Sequence, residues 1–189
     1  LYPHENVYSM LNLLGSHDTE RLRTLLGDNL DKLKLAYAIL YAYPGAPCMY
    51  YGDEIGLTGG RDPDCRAAFP WEVERWHSDL RTWIQKLISL RKRLDPLRRG
   101  NYQPLLLDSD QSCYAFIRGT GEHQVVIALN ASPEAKELSI PRGASGLNLV
   151  QPLHDLLGNH PDAIRLSDQV LQLRMPPWGI AWISSQPMG

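Results

Sequence analysis

The 189-residue chain has few cysteines, only Cys48, Cys65 and Cys113. Three is an odd count, and no two of them form a Cys-x-x-Cys pair. That argues against a disulfide scaffold and against a zinc site. Reduced, partly buried thiols in a cytosolic protein are the simplest expectation. Long apolar runs are also missing. The longest fall far short of the roughly 20 residues that a membrane helix needs, so no membrane partner is expected. Nor does one sign of charge dominate: 19 Lys and Arg stand against 21 Asp and Glu, a net charge of -2. This gives no electrostatic basis for binding nucleic acid or an anionic membrane. No repeat or low-complexity tract is apparent. The chain starts at Leu1 rather than Met and shows no signal-peptide pattern, so it reads as a piece of something longer.

What is present is ordinary globular composition, 43% hydrophobic and 21% charged, with length for one domain or two small ones. Residues 1–6 read as a loop or the tail of an earlier helix. The apolar run Val7 to Leu14 reads as a buried strand, roughly Tyr8 to Leu14. It stops at Gly15, and His17 and Asp18 follow at once. Polar groups directly after an apolar strand sit at its carboxyl end, where parallel α/β folds place ligands and chemistry. The competing reading makes His17-Asp18-Thr19 a helix cap, with Asp18 or Thr19 accepting from backbone N–H groups. Leu22, Leu25 and Leu26 have helical spacing over residues 19–26, with Gly27 as the stop. Asp28 or Asn29 then caps a helix to about Tyr43, with Leu33, Tyr37, Leu40 and Tyr41 on one face, ended by Pro44-Gly45. Residues 46–51 make a second short strand. Strand, helix, strand is a βαβ unit with parallel strands.

Residues 52–70, with Gly52, Gly56, Gly59, Gly60, Pro63, Pro70 and several Asp, are too irregular for an element; a long loop after a strand's carboxyl end favours function. Ser78 caps a third helix to about Leu94, with Leu80, Trp83, Leu87, Leu90 and Leu94 facing a core. The basic residues Arg91, Lys92 and Arg93, with Arg98 and Arg99, read as its solvated end, where cations suit the helix dipole. Beyond Pro96 the pattern becomes short strands between turns: 102–107, 113–118, 124–129, 136–140, 147–153, 170–175 and 179–183. In 124–129 both faces are apolar, and 170–175 alternates. Such a series suggests an antiparallel sandwich.

Three stretches carry a family resemblance. Asn12-Leu-Leu-Gly-Ser-His-Asp-Thr-Glu-Arg21 resembles the fourth signature stretch of the alpha-amylase family of glycoside hydrolases. Tyr43-Pro-Gly-Ala-Pro-Cys-Met-Tyr-Tyr-Gly-Asp-Glu-Ile-Gly56 is similar to the segment carrying that family's eighth barrel strand. Gly59-Gly-Arg-Asp-Pro-Asp-Cys-Arg66 with Phe69-Pro-Trp71 resembles the cyclomaltodextrinase, maltogenic amylase and neopullulanase branch. The resemblance is sharp over about 8–71 and looser beyond. It implies an α/β plus all-β chain: residues 1–96 as the C-terminal part of a (β/α)₈ TIM barrel, about two βα units, and 97–189 as the family's antiparallel β-sandwich domain. A complete barrel takes roughly 250 residues. Two parallel strands cannot close one, so their bare edges predict that the isolated chain forms a homo-oligomer, swaps elements or repacks its helices differently from the parent.

The family is retaining, with an Asp nucleophile, a Glu acid and a third carboxylate, an Asp that holds sugar hydroxyls at the cleaved residue. By resemblance, Asp18 is that catalytic third carboxylate, His17 a neighbouring sugar-binding imidazole, and Asp62 and Arg66 reach sugar further along. A fixed carboxylate accepts hydroxyl hydrogen bonds that strengthen as the ring flattens. A guanidinium suits paired hydroxyls. The plainer alternative for Arg66 is a pair with Asp62 or Asp64 that merely ties the loop. No Gly-x-Arg-x-Asp stretch of the kind carrying the nucleophile is present, nor a counterpart of the acid. The isolated chain is therefore expected to be inactive. Glu20 reads as a first-turn helix residue. Asp53 and Glu54 fix the loop backbone or, with Tyr51, line the pocket wall. Trp71 is a sugar platform or core under the loop; Arg61 has no assigned role. No metal or other cofactor is expected, and an α-glucan or maltooligosaccharide is the expected substrate. Two other readings stand beside this: a non-catalytic carbohydrate-binding module, whose candidates Tyr102, Tyr114, Trp178 and Trp182 are dispersed, and a purely structural β domain.

Overall fold

The computed structural model describes residues 4–121, 123–143, 146–158 and 164–186. By internal contacts the chain falls into two compact units, Leu1–Ser89 and Leu90–Gly189.

The first unit holds α1 (His4–Tyr8), β1 (Leu11–Leu13), α2 (Leu22–Leu25), α3 (Leu30–Ala42), β2 (Ala46–Cys48) and most of α4 (Ser78–Arg93). Its longest wholly internal helix, α3, starts where the Asn29 side chain accepts from the Lys32 N–H, satisfying one of the orphan donors of a helix start. It ends at Tyr43, because Pro44 cannot continue it. Leu33, Tyr37, Leu40 and Tyr41 are buried, as their spacing predicts. Leu80, Ile84 and Leu87 of α4 are buried too, and the Trp83 indole donates to Lys34 O on α3 at 3.1 Å. Strands β1 and β2 pair in parallel, Leu11 beside Ala46 and Leu13 beside Cys48, across the α3 crossover. The βαβ reading therefore holds.

The details differ from expectation. Val7 and Tyr8 belong to α1, and β1 keeps only Leu11–Leu13. An unbroken apolar run carries no period that separates strand from helix. Nor is β1 buried: Leu11 is 63% exposed, and among the described residues β2 is its one neighbour in the sheet, which leaves its other edge open. The second strand ends at Cys48 rather than Tyr51, since a turn bonds Asp53 N to Tyr50 O. Helix α2 is four residues, shorter than 19–26. The Arg21 N–H turns away to Gly59 O, and Gly27 takes a left-handed φ of 66°.

The second unit begins with α5 (Asp95–Arg99) and continues through β3 (Tyr102–Asp108), β4 (Cys113–Thr120), β5 (His123–Asn130), β6 (Lys136–Pro141), β7 (His154–Asp155), β8 (Ile164–Leu166), β9 (Val170–Met175) and β10 (Ile180–Ser184). One antiparallel sheet has the order β3-β4-β5-β10-β7 and the other β6-β9-β8. Ala115, Ile117, Val126, Ala128, Ala181 and Ile183 of the first share one buried cluster with Leu138, Ile140, Leu171, Leu173 and Met175 of the second. β5 is buried along both faces, matching its continuous apolar run, and β9 alternates. Residues 147–153 are not a strand. There the Gln124 side chain takes the place of a ladder, accepting from Asn148 N at 2.8 Å and donating to Gly146 O at 2.9 Å, while Leu147 and Leu149 stay buried. β7 and β8, two and three residues long, are too short to show a pattern. The basic stretch at the end of α4 is not wholly solvated, since Arg91 is buried. Among the described residues, no helix is long and apolar enough to cross a membrane.

Candidate functional site

The loop after β1 and the loop after β2 meet at the carboxyl ends of the two parallel strands. The first turns at Ser16, whose N–H donates to Thr19 Oγ1 at 2.9 Å while its Oγ accepts from Asp18 N at 3.2 Å. Neither Asp18 nor Thr19 caps α2: the residue at that helix's N-cap is Arg21, with no side-chain cap. The helix-cap reading is therefore wrong. Glu20 likewise lies outside the helix, facing Arg61 at 3.4 Å.

Arg66 gathers the other three residues singled out from the sequence. Its Nε donates to His17 O at 3.1 Å and lies 3.2 Å from Asp62 Oδ1, and its Nη2 lies 3.8 Å from Asp18 Oδ1. His17 Nε2 is 3.2 Å from Asp18 Oδ2. Cys65, buried beneath, donates through Sγ to the same His17 carbonyl at 3.4 Å. Asp62, not Asp64, is the partner of Arg66, and the pair ties the loop to the His17–Asp18 turn. All four side chains remain substantially open to solvent, Asp18 at 69%. Two carboxylates, an imidazole and a guanidinium thus present acceptors and donors side by side on one surface, the inventory that a polyhydroxylated ring uses.

Near this surface lies a buried network in which only the loop-fixing role of Asp53 was expected from the sequence. The Arg21 guanidinium is 1% exposed; its Nη1 donates to Tyr51 O and to Asp53 Oδ1, the latter at 3.1 Å. The other Asp53 oxygen accepts from the Tyr37 hydroxyl at 3.0 Å. Arg21 Nε and Nη2 have no hydrogen-bond partner among the described residues. Instead the guanidinium lies 4.2 Å from the centroid of the Tyr50 ring and 4.7 Å from that of Tyr51, an arrangement that offsets part of the cost of burying it. Burial pushes the Asp53 carboxyl above its ordinary value, against the pull of Arg21 and Tyr37. Burial, then the Asp53 charge, raises the Tyr37 hydroxyl as well. Asp53 is thus an anchor between the two loops, not a group facing substrate. For Asp53 this agrees with the sequence reading that it fixes the loop backbone; the Arg21 and Tyr37 partners had no such reading.

The segment 59–66 closes back on α2. The Gly59 N–H donates to Thr24 Oγ1 at 2.9 Å, and a Cβ on Gly59 would stand 2.5 Å from Asp64 O. Only glycine fits that approach. Trp71 is 81% exposed, so it is not core under the loop. Among the described residues, no group of three or more His, Cys, Asp or Glu could hold a metal ion.

The parallel βαβ unit thus brings an Asp, a His, an Asp and an Arg together on its carboxyl-end loops, where parallel α/β folds bind ligands. The chain belongs to the alpha-amylase family: residues 3–100 match its catalytic domain. It is 37% identical over 178 residues to a cyclomaltodextrinase of Geobacillus thermopakistaniensis, covering 94% of this chain and 29% of that protein. It is 40% identical over 146 residues to neopullulanase 2 of Thermoactinomyces vulgaris, covering 77% and 25%. The native debranching enzyme of Nostoc punctiforme superposes with a TM-score of 0.82 at 33% identity, covering 97% of this chain and 37% of that one. The chain therefore spans less than a third of the length of these two curated relatives.

Proposed function

We propose that this chain is the C-terminal part of an enzyme that hydrolyses, or transfers, α-1,4-glucosidic bonds in maltooligosaccharides, cyclodextrins or related α-glucans by a retaining mechanism. Residues 1–96 would be about two βα units of a (β/α)₈ barrel, and 97–189 the β-sandwich domain behind it. Supporting the first is the parallel β1–α3–β2 unit; supporting the second are two antiparallel sheets around one buried cluster. In this reading Asp18 is the third carboxylate. It accepts hydroxyl hydrogen bonds at the cleaved sugar, and these strengthen as the ring flattens toward the oxocarbenium-like transition state. His17 donates to a further hydroxyl, and Asp62 and Arg66 hold the next sugar. The single observation that carries the reading is the convergence of His17, Asp18 and Asp62 on Arg66.

Nucleophile and general acid would come from outside these residues, so the 189-residue chain is inactive alone. Sustained release of reducing sugar by the isolated chain that disappears in Asp18→Asn overturns this. Free cysteines support a cytoplasmic setting. A sugar-binding module built on the second unit is disfavoured: Trp182 is fully buried, and the Tyr102 and Tyr114 hydroxyls bond each other.

A further inference from the structure

Beyond the Asp18 cluster, the first unit carries a groove of about 540 Å³ lined by Tyr51, Glu54, Ile55, Phe69, Trp71, Trp76 and Arg81. We propose that it is a second sugar site, separate from the Asp18 cluster, which seats a pyranose ring of an α-glucan on the exposed indole of Trp71. The choice of ligand class rests on the function proposed above.

Three observations support it. First, the rings beside Trp71 are held in place. Trp76 donates through its indole N–H to Pro70 O at 2.8 Å. Phe69 lies between the two tryptophans, with centroids 4.9 Å from Trp71 and 5.8 Å from Trp76. Arg81 stacks on Trp76 at 5.2 Å. Phe69 meets Trp71 at 59°, which leaves most of that indole in solvent. A large, exposed aromatic face is costly to leave wet, and it matches the C–H face of a pyranose through its negative quadrupole. Second, Glu54 and Arg81 place a carboxylate and a guanidinium at the groove. They supply acceptor and donor for the hydroxyls around the ring's rim, which a purely apolar partner could not use. The groove's volume also lies in the range of about 300–1,000 Å³ typical of small-ligand sites. Third, one loop serves both places. Residues 62–66 join the Asp18 cluster, and the Tyr51 hydroxyl, on the groove wall, donates to Ala67 O at 2.9 Å. A glucan held at Arg66 would have the groove as its next polar and aromatic surface.

The test is titration of the 189-residue chain with maltoheptaose, followed by backbone amide shifts. Saturable shifts over 69–81 are expected. Trp71→Ala should weaken them at least tenfold, and Trp71→Phe, which keeps a ring, should weaken them about threefold. Asp18→Asn should leave them in place. Unchanged binding in Trp71→Ala, or no shifts over 69–81 in the wild type, overturns the site. So does a shift of the chain to a smaller species in Trp71→Ala, because the groove would then be a contact between copies. Shifts confined to 15–18 and 59–66 would sink the groove while leaving the Asp18 reading standing. Shifts only over 69–81 would support the groove by itself.

Discussion

Asp53 is the residue on which the shape of the candidate site most depends, although it faces no substrate. Its carboxylate joins Arg21 from the first loop to Tyr37 from α3. Removing one partner of a buried pair strands the other, at a cost of about 3–5 kcal/mol. Asp53→Ala is expected to unfold the first unit at markedly lower denaturant or temperature, with a smaller loss for Tyr37→Phe. The pH dependence has a definite sign. Because burial lifts the Asp53 carboxyl above its unfolded value, the native state binds the extra proton between the two values. Its contribution is complete below the unfolded value, about 4, and is lost as pH rises through the folded one. Denaturant melts of wild type and Asp53→Asn across that window should show the wild type losing ground as pH rises; a difference in stability that stays flat, or that grows, contradicts the raised value. Arg66 is the opposite case. Its pairs are exposed, so Arg66→Ala should cost under about 1 kcal/mol of stability while abolishing maltooligosaccharide shifts at residues 15–18. Asp18, His17, Asp62 and Arg66 could be singled out from sequence because the motifs around them survive intact. The burial of Arg21 could not, because nothing local marks which guanidinium lies under tyrosine rings.

At the scale of elements, what could be read from sequence depended on length. Helix α3, with a cap, a full apolar face and a Pro stop, is legible from Asn29 to Tyr43. So are β5 and β9, one by its unbroken run and the other by alternation. β7 and β8 are too short to carry a period. Residues 147–153 mislead because Gln124 supplies from a side chain the hydrogen bonds that a strand would have made. β1 misleads because composition marks it for burial while its open edge leaves it in water. The joint between α3 and β2 is tight: Gly45 sits at φ 98°, and a Cβ there would stand 2.7 Å from both Asn12 Nδ2 and Met10 O. Gly45→Ala should therefore cost about 1–3 kcal/mol and loosen the β1–β2 pairing. Amide exchange at Ala46, which donates to Met10 O at 2.8 Å, reads this directly. Unchanged protection would mean that the turn tolerates a side chain.

For the whole molecule, the family model and the relatives define a chain that covers only part of the enzymes it resembles. Met10, Leu11 and Leu13 lie exposed at and before β1, whose other edge is unpaired among the described residues. Open apolar edges recruit partners. Analytical ultracentrifugation of the 189-residue chain is expected to show self-association that Leu11→Lys with Leu13→Lys reduces. A clean wild-type monomer with a stable melt would contradict it. The placing of Asp18 at a cleaved sugar is tested most directly by turnover. In the enzyme that carries this sequence, kcat on a cyclodextrin or maltotriose should fall by about a hundredfold or more in Asp18→Asn, the scale of losing one preorganised transition-state contact, with folding unchanged. A kcat within a fewfold of wild type would contradict the assignment of Asp18 as the third carboxylate.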